Sequence, residues 1–417
     1  MRNIQVTGME ITDIDKLTMI QVITDGEISY GKYNKFAERA LAKYEEQDYA
    51  FLVNSGSSAN LLAFMAFTSP LMYSKYRLSP GDEIITVATA FPTTITPIIL
   101  AKCIPVFIDI NEWYNIDVTM LEKARSNRTK GVFIAHTLGI PYDIDVVQEF
   151  CHKYNLFLIS DCCDALGSIY KDIKVTNKKF ADVVTNSFYP AHHCTSGEGG
   201  AVLTSDPLIA KIVQSLRDWG RSCQCDPGTD NKCGHRFERQ FGELPEGYDH
   251  KYVYSHLGFN LKMANPQAAL LHSQLKRIDE YTDRRIRNFD TLHEYLYPWT
   301  FPYKLYDGIC TDFEAYPDEG TIPSWFGYPI FLPKQVDRRN IINKLNAQGI
   351  ATRFLFSGNI LRQPAWQPEY KYRIIGNLDM SNYITEHMFW IGCWHGLTEE
   401  DILYEREVVK QVITDAL

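Results

Sequence analysis

Short, continuously apolar segments alternate along this chain with amphipathic helical stretches, and that alternation leaves few architectures open. Tyr49–Val53, Asp82–Val87, Ile104–Asp109, Gly131–Ala135 and Leu156–Ser160 read as strands. The pattern between them predicts helices over Ala59–Phe67, Thr94–Lys102, Val118–Ala124 and Val146–Lys153. A strand that is apolar on both faces has to be buried on both, so the chain reads as a mostly parallel sheet covered by helices. In such a sheet functional residues belong at the carboxyl ends of strands, where Asn54, Asp161 and Ser187 fall.

Downstream, Val202–Thr204 and a helix over Leu208–Trp219 lead into an insertion at 220–254 rich in Cys, Gly, Asp and Arg. A charged helical stretch over Gln267–Tyr295 follows. The remainder reads as α+β, with strands near Trp325–Ile330 and Thr352–Leu355 and helices over Arg338–Asn346 and Glu399–Thr414. We therefore expect a large domain over 1–285, carrying the Cys-rich insertion, and a small C-terminal domain over 286–417. The 417 residues suffice for both.

A net charge of −9 argues against a nucleic-acid partner, which clustered Lys and Arg would serve. No basic leader and no apolar run near the ~20 residues that span a bilayer is visible, so a cytoplasmic protein without a membrane partner is expected. In that compartment the ten cysteines read as thiols or metal ligands rather than disulfides.

Three segments carry chemistry. Gly56, Ser57 and Ser58 follow a strand and open a helix, which suits a phosphate, although an ordinary N-cap with a tight turn explains the same residues. Asp161 ends a buried strand, where an ionised carboxylate needs a cationic partner; a turn aspartate is the commoner role for a lone Asp. Cys223, Cys225 and Cys233, with one and then seven residues between them, join Cys163 as four thiols that suit either a [2Fe-2S] cluster or zinc.

Together with Ser187–Gly200, these segments resemble the pyridoxal-phosphate site of the sugar-nucleotide aminotransferases, the DegT/DnrJ/EryC1/StrS family, and most closely its sugar-nucleotide 3-dehydrases. The resemblance implies a type I PLP-dependent aminotransferase-like α/β fold. It places Gly56, Ser57, Ser58 and Ser187 on the cofactor phosphate, Asp161 with Asp164 at the pyridine nitrogen, and Phe91 on the ring. Asn260 would reach a neighbouring subunit's phosphate, which implies a homodimer. His192 stands where the family has its Schiff-base lysine, and no lysine occurs from Ser187 to Gly200.

Imidazole cannot form that linkage, so the cofactor would be pyridoxamine 5'-phosphate (PMP) held non-covalently, with His192 as proton acceptor. The resemblance further implies CDP-4-keto-6-deoxy-D-glucose as substrate, losing its C3 hydroxyl on the way to 3,6-dideoxyhexoses of lipopolysaccharide O-antigen. It implies a [2Fe-2S] cluster on Cys163, Cys223, Cys225 and Cys233, fed by an NADH-dependent flavin/iron-sulfur reductase. Arg353–Asn359 and Tyr248–Lys251 match segments of the same relatives, where an Arg could meet the pyrophosphate. Cys162, Cys103, Cys151, Cys194, Cys310 and Cys393 are expected to be buried thiols. The alternatives are a cluster-free GDP-4-keto-6-deoxymannose 3-dehydratase that renews its amine from glutamate, and a non-catalytic, zinc-stabilised binding protein of the same fold.

Overall fold

The computed structural model describes residues 2–225, 229–232, 234–299 and 319–417. Helices α1 (Asp13–Thr24) and α2 (Lys32–Tyr44) precede the first strand. Then come β1 (Tyr49–Val53), α3 (Gly56–Ala66), β2 (Glu83–Val87), α4 (Pro92–Leu100), β3 (Ile104–Ile108), α5 (Leu121–Ala124), β4 (Thr129–Ala135), α6 (Ile144–Tyr154) and β5 (Phe157–Asp161). A small hairpin, β6 (Ile169–Tyr170) and β7 (Ile173–Lys174), leads to β8 (Val183–Ser187), β9 (Gly200–Thr204) and α7 (Pro207–Arg217). Beyond the insertion lie α8 (Asn265–Gln274), α9 (Ile278–Leu296), β10 (Tyr328–Phe331), α10 (Arg338–Ala347), β11 (Arg373–Ile374), α11 (Asp379–His387), β12 (Met388–Ile391) and α12 (Glu399–Thr414).

The main sheet runs β1-β9-β8-β5-β4-β2-β3-β11. Only β9 opposes the others: it pairs antiparallel with both β1 and β8, and the remaining pairings are parallel. Strands β2, β5, β8 and β9 are buried along their whole length. Helices cover both faces, which accounts for apolar runs such as Phe157–Ile159 and Ala201–Leu203. Residues that lack apolar side chains mark the helix starts instead: Ser55 caps α3, Asp206 caps α7, and Thr398 with Asp401 forms a capping box on α12.

Two expected elements change. Thr352–Leu355 is no strand; Arg353 makes a single bridge to Trp390, and the chain then turns at Phe356, whose φ is +44°. The long helix over Gln267–Tyr295 is two helices separated by a 3-10 turn at Leu275–Arg277. The expected domain boundary after residue 285 falls inside α9. The C-terminal part also reaches back: β11 extends the main sheet beside β3, and the N-terminal Ile4 bridges to Ile350.

Candidate active site

The carboxyl ends of β1, β5 and β8 and the first turns of α3 and α4 converge on a cleft of about 550 Å³. Gly56, Ser57, Phe91, Asp161, Cys163, Asp164, Ser187 and His192, all singled out from the sequence, line it.

At one end lies the turn between β1 and α3. The Ser55 hydroxyl accepts from the Ser58 N–H at 3.1 Å, which satisfies one of the donors a helix start leaves open. A Cβ on Gly56 would lie 2.5 Å from the Cβ of Ser187, and one on Gly200 would lie 2.4 Å from the Ser55 carbonyl. Glycine at both positions lets the start of α3 press against the end of β8. The amides of Gly56 and Ser57 and the Ser187 hydroxyl are thereby gathered at the helix's positive end, a donor set suited to a phosphate. Ser58 does not line the cleft; its side chain contacts Ser55 Oγ at 3.1 Å.

At the floor, Asp161 is 4% exposed. Its Oδ2 accepts from Asn60 Nδ2 at 2.7 Å and from the Thr94 hydroxyl at 2.8 Å, and its Oδ1 accepts from the Cys163 N–H at 3.2 Å. Asn60 is in turn fixed by the Thr185 hydroxyl at 2.6 Å. All of these donors are neutral, and among the described residues no Lys, Arg or His forms an ion pair with Asp161. A buried carboxylate so placed fits a protonated ring nitrogen. Asn60, Thr94 and Thr185 were not found from the sequence. Asn60 lies one turn beyond Gly56 on the same helix, the one spacing that could have drawn attention to it.

His192 Nδ1 stands 3.4 Å from Asp164 Oδ1, and its ring packs against Phe326 with centroids 5.1 Å apart. Burial, seconded by the Arg285 cation, pushes His192 down to about 3, so the imidazole is neutral. Burial and the nearby charge of Asp161 push Asp164 well above the usual carboxylate range. Arg285, on α9, is fully buried and was also missed. It donates to the main-chain oxygens of His192 at 3.2 Å and Trp325 at 3.0 Å, tying the two segments together. His193 points away and bonds the Ser324 carbonyl through Nε2 at 2.7 Å. Phe91 is 49% exposed and meets Phe356 edge-on, leaving ring surface open to the cleft.

Asn260 is not on the cleft wall. It bridges to Asp218, while its neighbour Leu261 accepts from the Asn54 N–H at 2.9 Å.

The cysteines divide. Cys163 is half-buried on the cleft, whereas Cys162 is fully buried against Ser160, and Cys103, Cys151, Cys194 and Cys393 are buried as expected. Cys223 and Cys225 share a separate small pocket with Arg236, His250 and Lys251, and the Cys225 N–H donates to Cys223 Sγ at 3.4 Å. Cys233 and Cys310 lie outside the described residues. Among the described residues no group of three or more His, Cys, Asp or Glu is placed to hold a metal ion.

A family model described as the DegT/DnrJ/EryC1/StrS aminotransferase family matches residues 10–412. The lipopolysaccharide biosynthesis protein RfbH of Salmonella typhimurium is 45% identical over 391 residues, which cover 93% of this chain and 86% of that protein. The dTDP-4-dehydro-2,6-dideoxy-D-glucose 3-dehydratase of Saccharopolyspora spinosa is 40% identical over 413 residues, covering 98% and 86% respectively. A solved structure of E. coli GDP-4-keto-6-deoxy-D-mannose-3-dehydratase with bound hydrated PLP matches with a TM-score of 0.83 at 25% identity, over 98% of this chain and 100% of that one.

Proposed function

The chain belongs to the DegT/DnrJ/EryC1/StrS aminotransferase family, and from that premise we propose that it is a 3-dehydratase of a 4-keto-6-deoxy sugar nucleotide, with His192 as base where the family has a lysine. The observation that carries this reading is the composition of the cleft wall: among the described residues it contains no lysine, and His192 faces Asp164 within it. With no amine to link it, a pyridoxal-type cofactor is held by contacts alone, and pyridoxamine 5'-phosphate is the form that fits.

When bound, that group supplies an amine for the substrate's ketone and a ring that withdraws electrons. The Gly56 and Ser57 amides and the Ser187 hydroxyl would hold its phosphate, Asp161 its ring nitrogen, and Phe91 one ring face. His192 takes the proton at Nε2, while Asp164, opposite Nδ1, and Phe326, against the ring, keep the imidazole oriented. The hydroxyl on the carbon next to the ketone then leaves as water, its C–O bond breaking as the oxygen takes up the proton carried by His192, and this completes the dehydration.

We assign CDP-4-keto-6-deoxy-D-glucose as substrate and a 3,6-dideoxyhexose of lipopolysaccharide as the end of the route, supported by the 45% identity to a lipopolysaccharide biosynthesis protein. We also assign a [2Fe-2S] cluster to Cys163, Cys223, Cys225 and Cys233, with an NADH-dependent flavin/iron-sulfur reductase as electron donor. The support is the four-thiol pattern, the N–H···S contact between Cys225 and Cys223, and a Cys163 that opens to the cleft while Cys162 does not. Cys163 lines the cleft and not the pocket that Cys223 and Cys225 share, and this favours one other reading, a cluster-free dehydratase that renews its amine from glutamate. In both readings we assign the protein as a cytoplasmic homodimer.

Anaerobic incubation of reconstituted protein with PMP and the CDP-sugar, with and without reductase and NADH, tests this. A 3-deoxy sugar formed only with the reductase, and lost in His192→Asn, is the expected result. Turnover supported by glutamate instead selects the cluster-free enzyme, and unchanged turnover in His192→Asn overturns the role of the histidine.

A further inference from the structure

The cleft carries an aromatic ring that the cofactor contacts do not use. Phe354 follows the bridge between Arg353 and Trp390, and its carbonyl accepts from Trp390 Nε1 at 3.0 Å, so the backbone beneath the ring is pinned on both sides. Although Phe354 lines the cleft it is 56% exposed, an unfavourable position for a large apolar side chain unless something covers it. One side of the ring is already covered, by the Arg338 guanidinium, centred 4.3 Å from the ring centroid. Arg338 is itself anchored at the start of α10 by donating to the Met388 carbonyl at 2.8 Å. A cation on one face holds the ring in place and leaves the other face for a flat partner. Among the described residues no other aromatic ring is paired with it.

The next residue back supplies a complementary charge. Arg353 also lines the cleft, and among the described residues no carboxylate is within ion-pair distance of it; its one side-chain hydrogen bond goes to the Thr352 carbonyl at 2.9 Å. An unpaired guanidinium beside an exposed, cation-backed ring is a pairing of anion site and stacking surface, the two features a nucleoside diphosphate presents.

We propose that Phe354, backed by Arg338, is the stacking platform for the base of the nucleoside diphosphate, set beside Arg353 in the segment where the family resemblance already expects an Arg to meet the pyrophosphate. This rests on the sugar-nucleotide reading of the cleft and assigns its substrate-binding end to the Arg353–Phe354 corner, apart from the residues that hold the cofactor. Arg338 is a positioning residue, acting through the ring it supports.

Calorimetric titration of the protein with CDP, dTDP, GDP and inorganic pyrophosphate separates the parts. Phe354→Ala is expected to weaken the tightest-binding nucleotide about ten-fold or more, as loss of a base-stacking ring does. It should leave pyrophosphate binding and the absorbance-monitored affinity for pyridoxal phosphate unchanged. Phe354→Trp should restore nucleotide binding, and Arg338→Met should weaken it by a smaller factor. Unchanged nucleotide affinity in Phe354→Ala, beside a wild type that binds, overturns the platform and leaves the sugar-nucleotide reading standing. A wild type that binds none of the three nucleotides overturns both.

Discussion

Glu45 is a carboxylate with no good place for its charge. It caps the C-terminal end of α2 and is fully buried, and burial pushes its pKa from 4.5 up to about 7, against the pull of Thr176, Lys174 and Asn186. A group whose folded pKa is raised contributes its full stability below the unfolded value and loses it as the pH climbs through the folded one. The window is therefore about pH 4.5 to 7, and the span of the shift corresponds to about 3 kcal/mol. Glu45→Gln removes the titration while keeping the shape. Urea unfolding should find variant and wild type nearly alike at pH 5, with the variant more stable by that order at pH 8; an equal difference at the two pH values would show that Glu45 does not ionise in this window. The same desolvation keeps the His192 imidazole neutral while weakening it as a base.

At the scale of elements, the cleft depends on how α2, β1 and α7 are locked together behind it. Arg217, on α7, is fully buried and donates to Glu38 Oε1 on α2 at 2.7 Å and to the Leu52 carbonyl on β1 at 3.0 Å; the Leu52 N–H returns a bond to Glu38 at 3.2 Å. Removing Glu38 leaves the buried Arg217 only its longer contact to Asp218 at 3.8 Å, and breaking a buried pair in this way costs about 3–5 kcal/mol. Glu38→Ala should shift the urea midpoint by that amount, whereas Glu38→Leu combined with Arg217→Met should recover most of the loss. A double variant no better than the single one would show that the ion pair itself is needed. Elements built on a strong local pattern were legible in the sequence: α12 spans Glu399–Thr414 as expected, and β5 ends at Asp161. Those made by distant partners were not. Strand β11 exists only because β3 offers it an edge, and Arg353 meets Trp390 in a single bridge that no local periodicity announces. In the site, Asp161 and His192 stood out by type and position, while Asn60, Thr94 and Arg285 act through contacts that only the folded chain creates.

For the whole molecule, the question is whether one chain completes its own site. Asn260 is off the cleft wall, yet its loop is strongly exposed: Leu257 is 99% accessible, and Tyr252 and Tyr254 are each about half so. Such a surface is unusual for a monomer. If two copies pair so that Asn260 of each reaches the other's phosphate, every site needs His192 from one chain and Asn260 from its partner. Mixing His192→Asn with Asn260→Ala, each inactive or weakened alone, then has a definite outcome. In a mixed dimer one site carries both defects and the other carries neither. With free subunit exchange at equal concentrations, half the dimers are mixed, so about a quarter of all sites become wild type. Recovery of about a quarter of wild-type turnover, rising with time as subunits exchange and absent under conditions that prevent exchange, is the expected result. If the mixture gives no more than the average of its two components, each chain completes its own site and Asn260 acts within it or not at all.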